Sequence, residues 1–173
     1  MNKSIIKILV VFLILFGLIK NINADEPKPY DSHQFNFFSG VFDINTSSKK
    51  SSELFGVQHS NEDLFRDTFL GKLSPITGFM MTADSTTYLY TGVQAEYKIG
   101  KLNLTPSFSP GLYSMGDGKD LGSPLEFKSE LQLSVDLRPG TKLGYSQSHL
   151  SNAGLDDKNP GADSYMFNFM KSF

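Results

Sequence analysis

The chain of 173 residues has no cysteine and no tryptophan, and only three histidines, His33, His59 and His149. Without cysteine no disulfide framework can hold the fold, so stability must come from the backbone hydrogen-bond ladder and from packing. Long hydrophobic runs are equally scarce. The longest, Ile8 to Phe16, falls short of the roughly 20 residues that a spanning helix needs. Lys3 and Lys7 precede that run, and Ile22-Asn23-Ala24 ends it on a small residue before Asp25 and Glu26. This is the pattern of a secretory signal peptide over residues 1–24, cleaved after Ala24, rather than of an N-terminal anchor. Removing it takes Lys3, Lys7 and Lys20 from the 16 basic residues and none of the 18 acidic ones, which leaves 13 against 18, a net of −5. A strong positive field that would draw the protein to nucleic acid or to an anionic surface is thus also missing.

Mean hydropathy is −0.21, a value that by itself describes a soluble protein. The exclusion does not reach membrane barrels, in which lipid-facing and lumen-facing residues alternate and the hydrophobicity averages out. Alternation is what the chain has in abundance, and the helical period is hard to find. In 125–137, Leu125, Phe127, Leu131, Leu133, Val135 and Leu137 alternate with Glu126, Lys128, Glu130, Gln132, Ser134 and Asp136. One face is greasy and the other is charged or polar.

Segments of this kind predict strands near 33–45, 51–59, 73–83, 86–98, 102–114, 125–137, 141–151 and 162–173. Eight strands of about ten residues suit a tilted antiparallel membrane barrel better than a soluble sandwich. The reading is therefore all-β, an eight-stranded transmembrane barrel over the single domain 25–173. An even count puts both chain ends on the periplasmic side. Gly100 and Arg138-Pro139-Gly140 are tight turns there, and Asn45–Lys50, Met115–Pro124 and Asn152–Gly161 are outer loops. His59–Lys72 is long for a periplasmic connection; its 57–70 part reads as loop with a helical turn. Asp117, Lys119 and Asp120 read as a solvated outer loop, with lipid phosphate, met directly or through a bridging cation, as their other use. Phe173 ends a strand with Tyr165, Phe167 and Phe169 at alternate positions, which resembles the terminal signal read by the barrel-assembly machinery.

One stretch gathers the residue types of serine-based ester hydrolysis: His149, Ser151, Asn152, Gly154, then Asn159, Gly161 and Asp163. That chemistry needs a hydroxyl nucleophile, an imidazole to take its proton, a carboxylate to orient the imidazole, and donors for the oxyanion. In an extended strand His149 and Ser151 share a face. Asp163 shares parity with Tyr165, Phe167 and Phe169 on the next strand, so a hairpin could bring all three to the lipid-facing wall beside an outer loop. A His-x-Ser pair is common, and a girdle of polar side chains in a non-catalytic barrel serving adhesion or envelope integrity is the rival reading. No cluster has the ligand spacing of a metal or cofactor site, and none is expected.

The run His149-x-Ser151-Asn152-x-Gly154-Leu155, then Asn159-x-Gly161-x-Asp163, resembles the signature of the lipid A 3-O-deacylase (PagL) family, also described as acyloxyacyl hydrolase-like. Residues 116–127 resemble a further family segment. The resemblance implies an eight-stranded barrel in the cell outer membrane of a Gram-negative bacterium, acting on lipid A of the outer leaflet among the surrounding membrane lipid. It implies Ser151 as nucleophile, His149 as general base and then acid, Asp163 as the orienting carboxylate, and Asn159, the Gly154 N–H and Asn152 as the oxyanion hole. The family often carries Glu where this chain has Asp163, one methylene shorter. An esterase acting on another membrane lipid satisfies the same triad, and a homodimer is left open.

Overall fold

The computed structural model describes residues 32–44, 51–68 and 71–173. The expected signal peptide and the loop 45–50 lie outside them. The elements in chain order are β1 (His33–Phe42), β2 (Ser52–Asn61), a 3-10 turn (Glu62–Leu64), β3 (Arg66–Thr68), β4 (Gly71–Thr82), β5 (Thr87–Ala95), β6 (Tyr97–Ile99), β7 (Leu102–Ser114), β8 (Leu125–Arg138), β9 (Thr141–Ser151) and β10 (Ala162–Ser172). Neighbours pair antiparallel in the order β2-β1-β10-β9-β8-β7-β5-β4, and pairing of β2 with β4 closes the ring. Eight long strands therefore form a barrel without a free edge, as the alternation predicted. The two short strands are attachments: β3 pairs with the start of β4, and β6 pairs with the start of β7.

The wall is turned inside out relative to a soluble protein. Along β8 Glu126, Lys128, Glu130, Gln132 and Ser134 are buried, whereas Leu131, Leu133, Val135 and Leu137 are exposed. Burying that many polar groups is tolerable only when they satisfy one another. The lumen does this in part: Lys128 Nζ donates to Glu130 at 2.7 Å and lies 4.0 Å from the centre of the Tyr90 ring. Asn36 donates to Asn168, and Asn168 to Ser146, each at 2.9 Å. Gln58 donates to Gln94 at 3.1 Å. At the long-loop end an apolar plug replaces this network, built from Phe42, Leu54, Tyr113, Leu150 and Ala162 and from Leu121, a loop residue with no exposed surface.

Several strand limits differ from expectation, three of them informatively. β1 stops at Phe42, not 45, because Asp43 takes a left-handed φ of 57° that breaks the pleat. The segment 86–98 splits around Glu96 into β5 and β6. β2 runs on to Asn61, whose side chain caps the 3-10 turn by accepting from the Asp63 N–H at 2.9 Å. The long connection His59–Lys72 is therefore largely folded, by the helical turn and by β3. Gly100 and Gly140, with φ of 62° and 67°, make the short turns at the same end.

Candidate active site

β9 and β10 form the hairpin that carries the site, and their register places His149 directly opposite Asp163. His149 Nδ1 and Asp163 Oδ1 are 2.7 Å apart. Direct opposition explains how the shorter carboxylate reaches the ring: no extra methylene is needed when the two Cα atoms are register partners. Both side chains are half-buried on the outside of the wall, the imidazole 40% exposed and the carboxylate 25%. They stand in line with exposed Leu143 and Tyr145 on β9 and Tyr165 and Phe167 on β10. Ser151, the last residue of β9, is placed on this same face by strand parity, opposite Phe127 of β8. His149 and Asp163 are thus joined directly, and Ser151 stands beside them two residues along the strand.

With Nδ1 engaged by a carboxylate, the proton of neutral His149 belongs on Nδ1, and Nε2 remains as the basic atom. Gly161 guards that edge of the ring. Its φ is 62°, and a Cβ there would lie 2.8 Å from Cε1 and 3.1 Å from Nε2 of His149. The glycine therefore serves twice, in a left-handed turn and in a close approach to the imidazole.

The expected oxyanion donors are bound differently from one another. Asn152 is fully buried; its Nδ2 donates to the carbonyls of Leu121 at 3.1 Å and Lys158 at 2.8 Å. Its Oδ1 accepts the Gly154 N–H at 2.9 Å. Both groups are thus engaged inside the loop, which turns back at Ala153 and Gly154 through left-handed φ values of 57° and 80°. Asn159 accepts the Asn152 N–H through Oδ1 at 3.2 Å, which leaves its amide NH2 as the side-chain donor to offer an oxyanion.

The segment 116–123 also departs from a freely solvated loop. Lys119 pairs with Asp43 at 2.7 Å and Asp120 with Lys158 at 2.7 Å. The Asp120 carboxyl is held below the usual carboxylate range by the hydrogen bond from Lys158 and by the Gly122 N–H. Sequence reasoning missed this docking. The available signal was Leu121, the one large apolar residue between Met115 and Leu125 in a run of Gly, Asp, Lys, Ser and Pro.

The family model described as "Lipid A 3-O-deacylase (PagL)" matches residues 54–172. The lipid A deacylase PagL of Bordetella bronchiseptica (strain ATCC BAA-588 / NCTC 13252 / RB50) is 34% identical over 55 residues, 32% of this chain and 31% of that protein, so the alignment spans about a third of the relative's length. Among solved structures, the crystal structure of the outer membrane enzyme PagL is similar with a TM-score of 0.60 at 19% identity, covering 81% of this chain and 99% of that one. A de novo designed transmembrane β-barrel gives 0.54 at 11% identity, over 85% and 98%. Neisserial surface protein A gives 0.53 at 8%, over 84% and 100%. The likeness to a designed barrel shows that the architecture alone implies no chemistry, so any activity has to be argued from the site.

Proposed function

The chain belongs to the lipid A 3-O-deacylase (PagL) family, and on that premise we propose that it is a serine esterase of the outer membrane that removes the 3-O-linked hydroxyacyl chain from lipid A. One observation carries the reading: a carboxylate-oriented imidazole stands on the apolar outer wall, on the face of Ser151. A soluble substrate would gain nothing from that placement. A lipid ester meets the nucleophile within its own phase.

In this mechanism Ser151 Oγ attacks the ester carbonyl while His149 Nε2 takes its proton, and Asp163 stabilises the imidazolium that forms. The Asn159 amide donates to the oxyanion of the tetrahedral intermediate. The intermediate collapses by breaking the bond to the glucosamine 3-oxygen, which receives the proton from His149. Water, activated by His149, then attacks the acyl-enzyme, releases the hydroxy fatty acid and restores Ser151. Asn152 and the Gly154 N–H hold the loop in shape around this donor. The outward aromatic row Tyr165, Phe167, Phe169 and Phe173 is the segment by which the assembly machinery would recognise the chain, after cleavage behind Ala24.

Expression in cells that make fully acylated lipid A, followed by mass spectrometry of that lipid, tests the proposal. The expected spectrum lacks one hydroxyacyl chain, and the Ser151→Ala strain retains it. An unchanged spectrum with an assembled barrel, or equal activity in Ser151→Ala, overturns the reading.

A further inference from the structure

Asn159 is a donor on a loop, and a loop donor serves catalysis only if something holds it still. The strand ladder ends at Ser151 on one side and resumes at Ala162 on the other, so residues 152–161 need an outside support. Resting on the functional reading above, we propose that the outer loop between β7 and β8 is a positioning element of the active site, acting on Asn159 through its contacts with Lys158 and Asn152.

That loop is pinned to the barrel on its far side. The Tyr113 hydroxyl donates to the Lys119 carbonyl at 2.6 Å, Lys119 pairs with Asp43, and the Thr86 hydroxyl donates to the Met115 carbonyl at 2.7 Å. Leu121 is driven into the apolar plug with no exposed surface, beside Leu150 and Ala162, the residues that precede Ser151 and Asp163. Its near side grips the catalytic loop at Lys158 and Asn152. Lys158 gives its carbonyl to Asn152 and its ammonium to Asp120. The Gly122 backbone runs so close that a Cβ would lie 2.0 Å from the Lys158 carbonyl oxygen, at a φ of 97°. Asn152, whose amide also binds the Leu121 carbonyl, is the residue whose N–H holds the Asn159 side chain. A rigid path therefore runs from the barrel wall through the β7–β8 loop to the oxyanion donor.

Because the donor acts mainly on the transition state, loosening this path lowers kcat and leaves KM near its wild-type value. Gly122→Ala forces the two loops apart and is expected to cut kcat about 10-fold or more, toward the ~10²-fold loss typical of removing one oxyanion donor. The second probe is a charge exchange at the exposed pair: Lys158→Glu alone lowers kcat, and Asp120→Lys/Lys158→Glu restores it. Each variant is assayed on purified lipid A in detergent, with its barrel checked by heat-modifiable migration, which the strand ladder governs. Wild-type kcat in assembled Gly122→Ala, a rise in KM alone, or a double exchange that fails to recover overturns the proposal; should Gly122→Ala not assemble, the exchange decides it. A wild-type enzyme that leaves lipid A intact overturns the functional reading instead, and the two failures are thereby distinguished.

Discussion

Two histidine clusters stand on the outer wall at opposite ends of the barrel, and they differ in what completes the ring. At the long-loop end His149 Nδ1 meets the Asp163 carboxylate at 2.7 Å. At the short-turn end His33 Nδ1 meets His59 Nε2 at 2.9 Å, with the ring planes 15° apart and the centroids 5.2 Å apart. Those values describe two rings nearly edge to edge, one donating and one accepting. In the first cluster a charge polarises the imidazole and a hydroxyl shares its face. In the second, one nitrogen of each ring is taken up by the other, and aromatic rings pack alongside: Phe35 lies 5.0 Å from the His59 ring and in turn meets Phe173. An outward position and an imidazole are common to both; the orienting carboxylate and the hydroxyl on the same face set the first apart and carry the proposed chemistry.

The comparison breaks most sharply by removing what is special to the first cluster. Ser151→Ala and His149→Ala are each expected to lower kcat by on the order of 10⁴-fold or more. Asp163→Asn is expected to cost ~10⁴-fold, because an amide donating to Nδ1 stabilises the wrong tautomer and no imidazolium. Asp163→Glu keeps the charge and retains more activity than the amide, and deacylation of lipid A read by mass spectrometry separates the three. If Asp163→Asn were as active as wild type, the two histidine clusters would be equivalent and the contrast would fail.

A smaller effect comes from crowding the ring rather than unpairing it. Gly161→Ala places a methyl against Cε1 and Nε2 of His149 in a backbone region that disfavours side chains. A displacement of about 1 Å at a reacting group costs up to ~10²-fold, so kcat should fall while KM holds. Smaller still, His33→Ala and His59→Ala should keep activity within about twofold and cost about 1 kcal/mol of barrel stability, the net worth of one hydrogen bond, read from thermal melting in detergent. A tenfold loss of activity in either would give the short-turn end a part in catalysis.

The smallest expected effect concerns pH. The folded Asp120 carboxyl is held below its ordinary range by Lys158 and the Gly122 N–H. A depressed folded value means that the pair contributes stability above about pH 4 and loses it as pH falls through the folded value. Asp120→Asn should therefore melt slightly below wild type at neutral pH and match it at acid pH, a difference that salt reduces. A gap that widens in acid would reverse the sign and remove the pair from the loop contact.

Most of the wall was legible from the chain because a period of two is written in every strand. The Glu126-to-Ser134 face could only be a lumen if the leucines alternating with it met lipid, and β8 has that orientation. Parity likewise put His149 and Ser151 on one face before any pairing was known. What parity could not say was whether Asp163 reached the ring, since that depends on the register between β9 and β10 to a single residue. Register is a property of the hairpin as a whole, settled by which apolar rows meet on the outside and which polar ones interlock within.

The loops were the least legible part, for a related reason. Nothing periodic marks Met115–Pro124, and its glycines and charges read as solvated chain. Only the closed barrel creates the apolar plug that takes in Leu121, and only the plug brings Gly122 against Lys158. Asn152 shows the same division. Its place in the motif was visible, but its burial and its two carbonyl partners belong to the assembled loops. The sequence alone determined a lipid-facing barrel and the candidate triad on its outer face, because alternation is local. The tertiary structure decided the histidine–carboxylate contact and the support beneath Asn159, because both depend on residues that meet only when the ring closes.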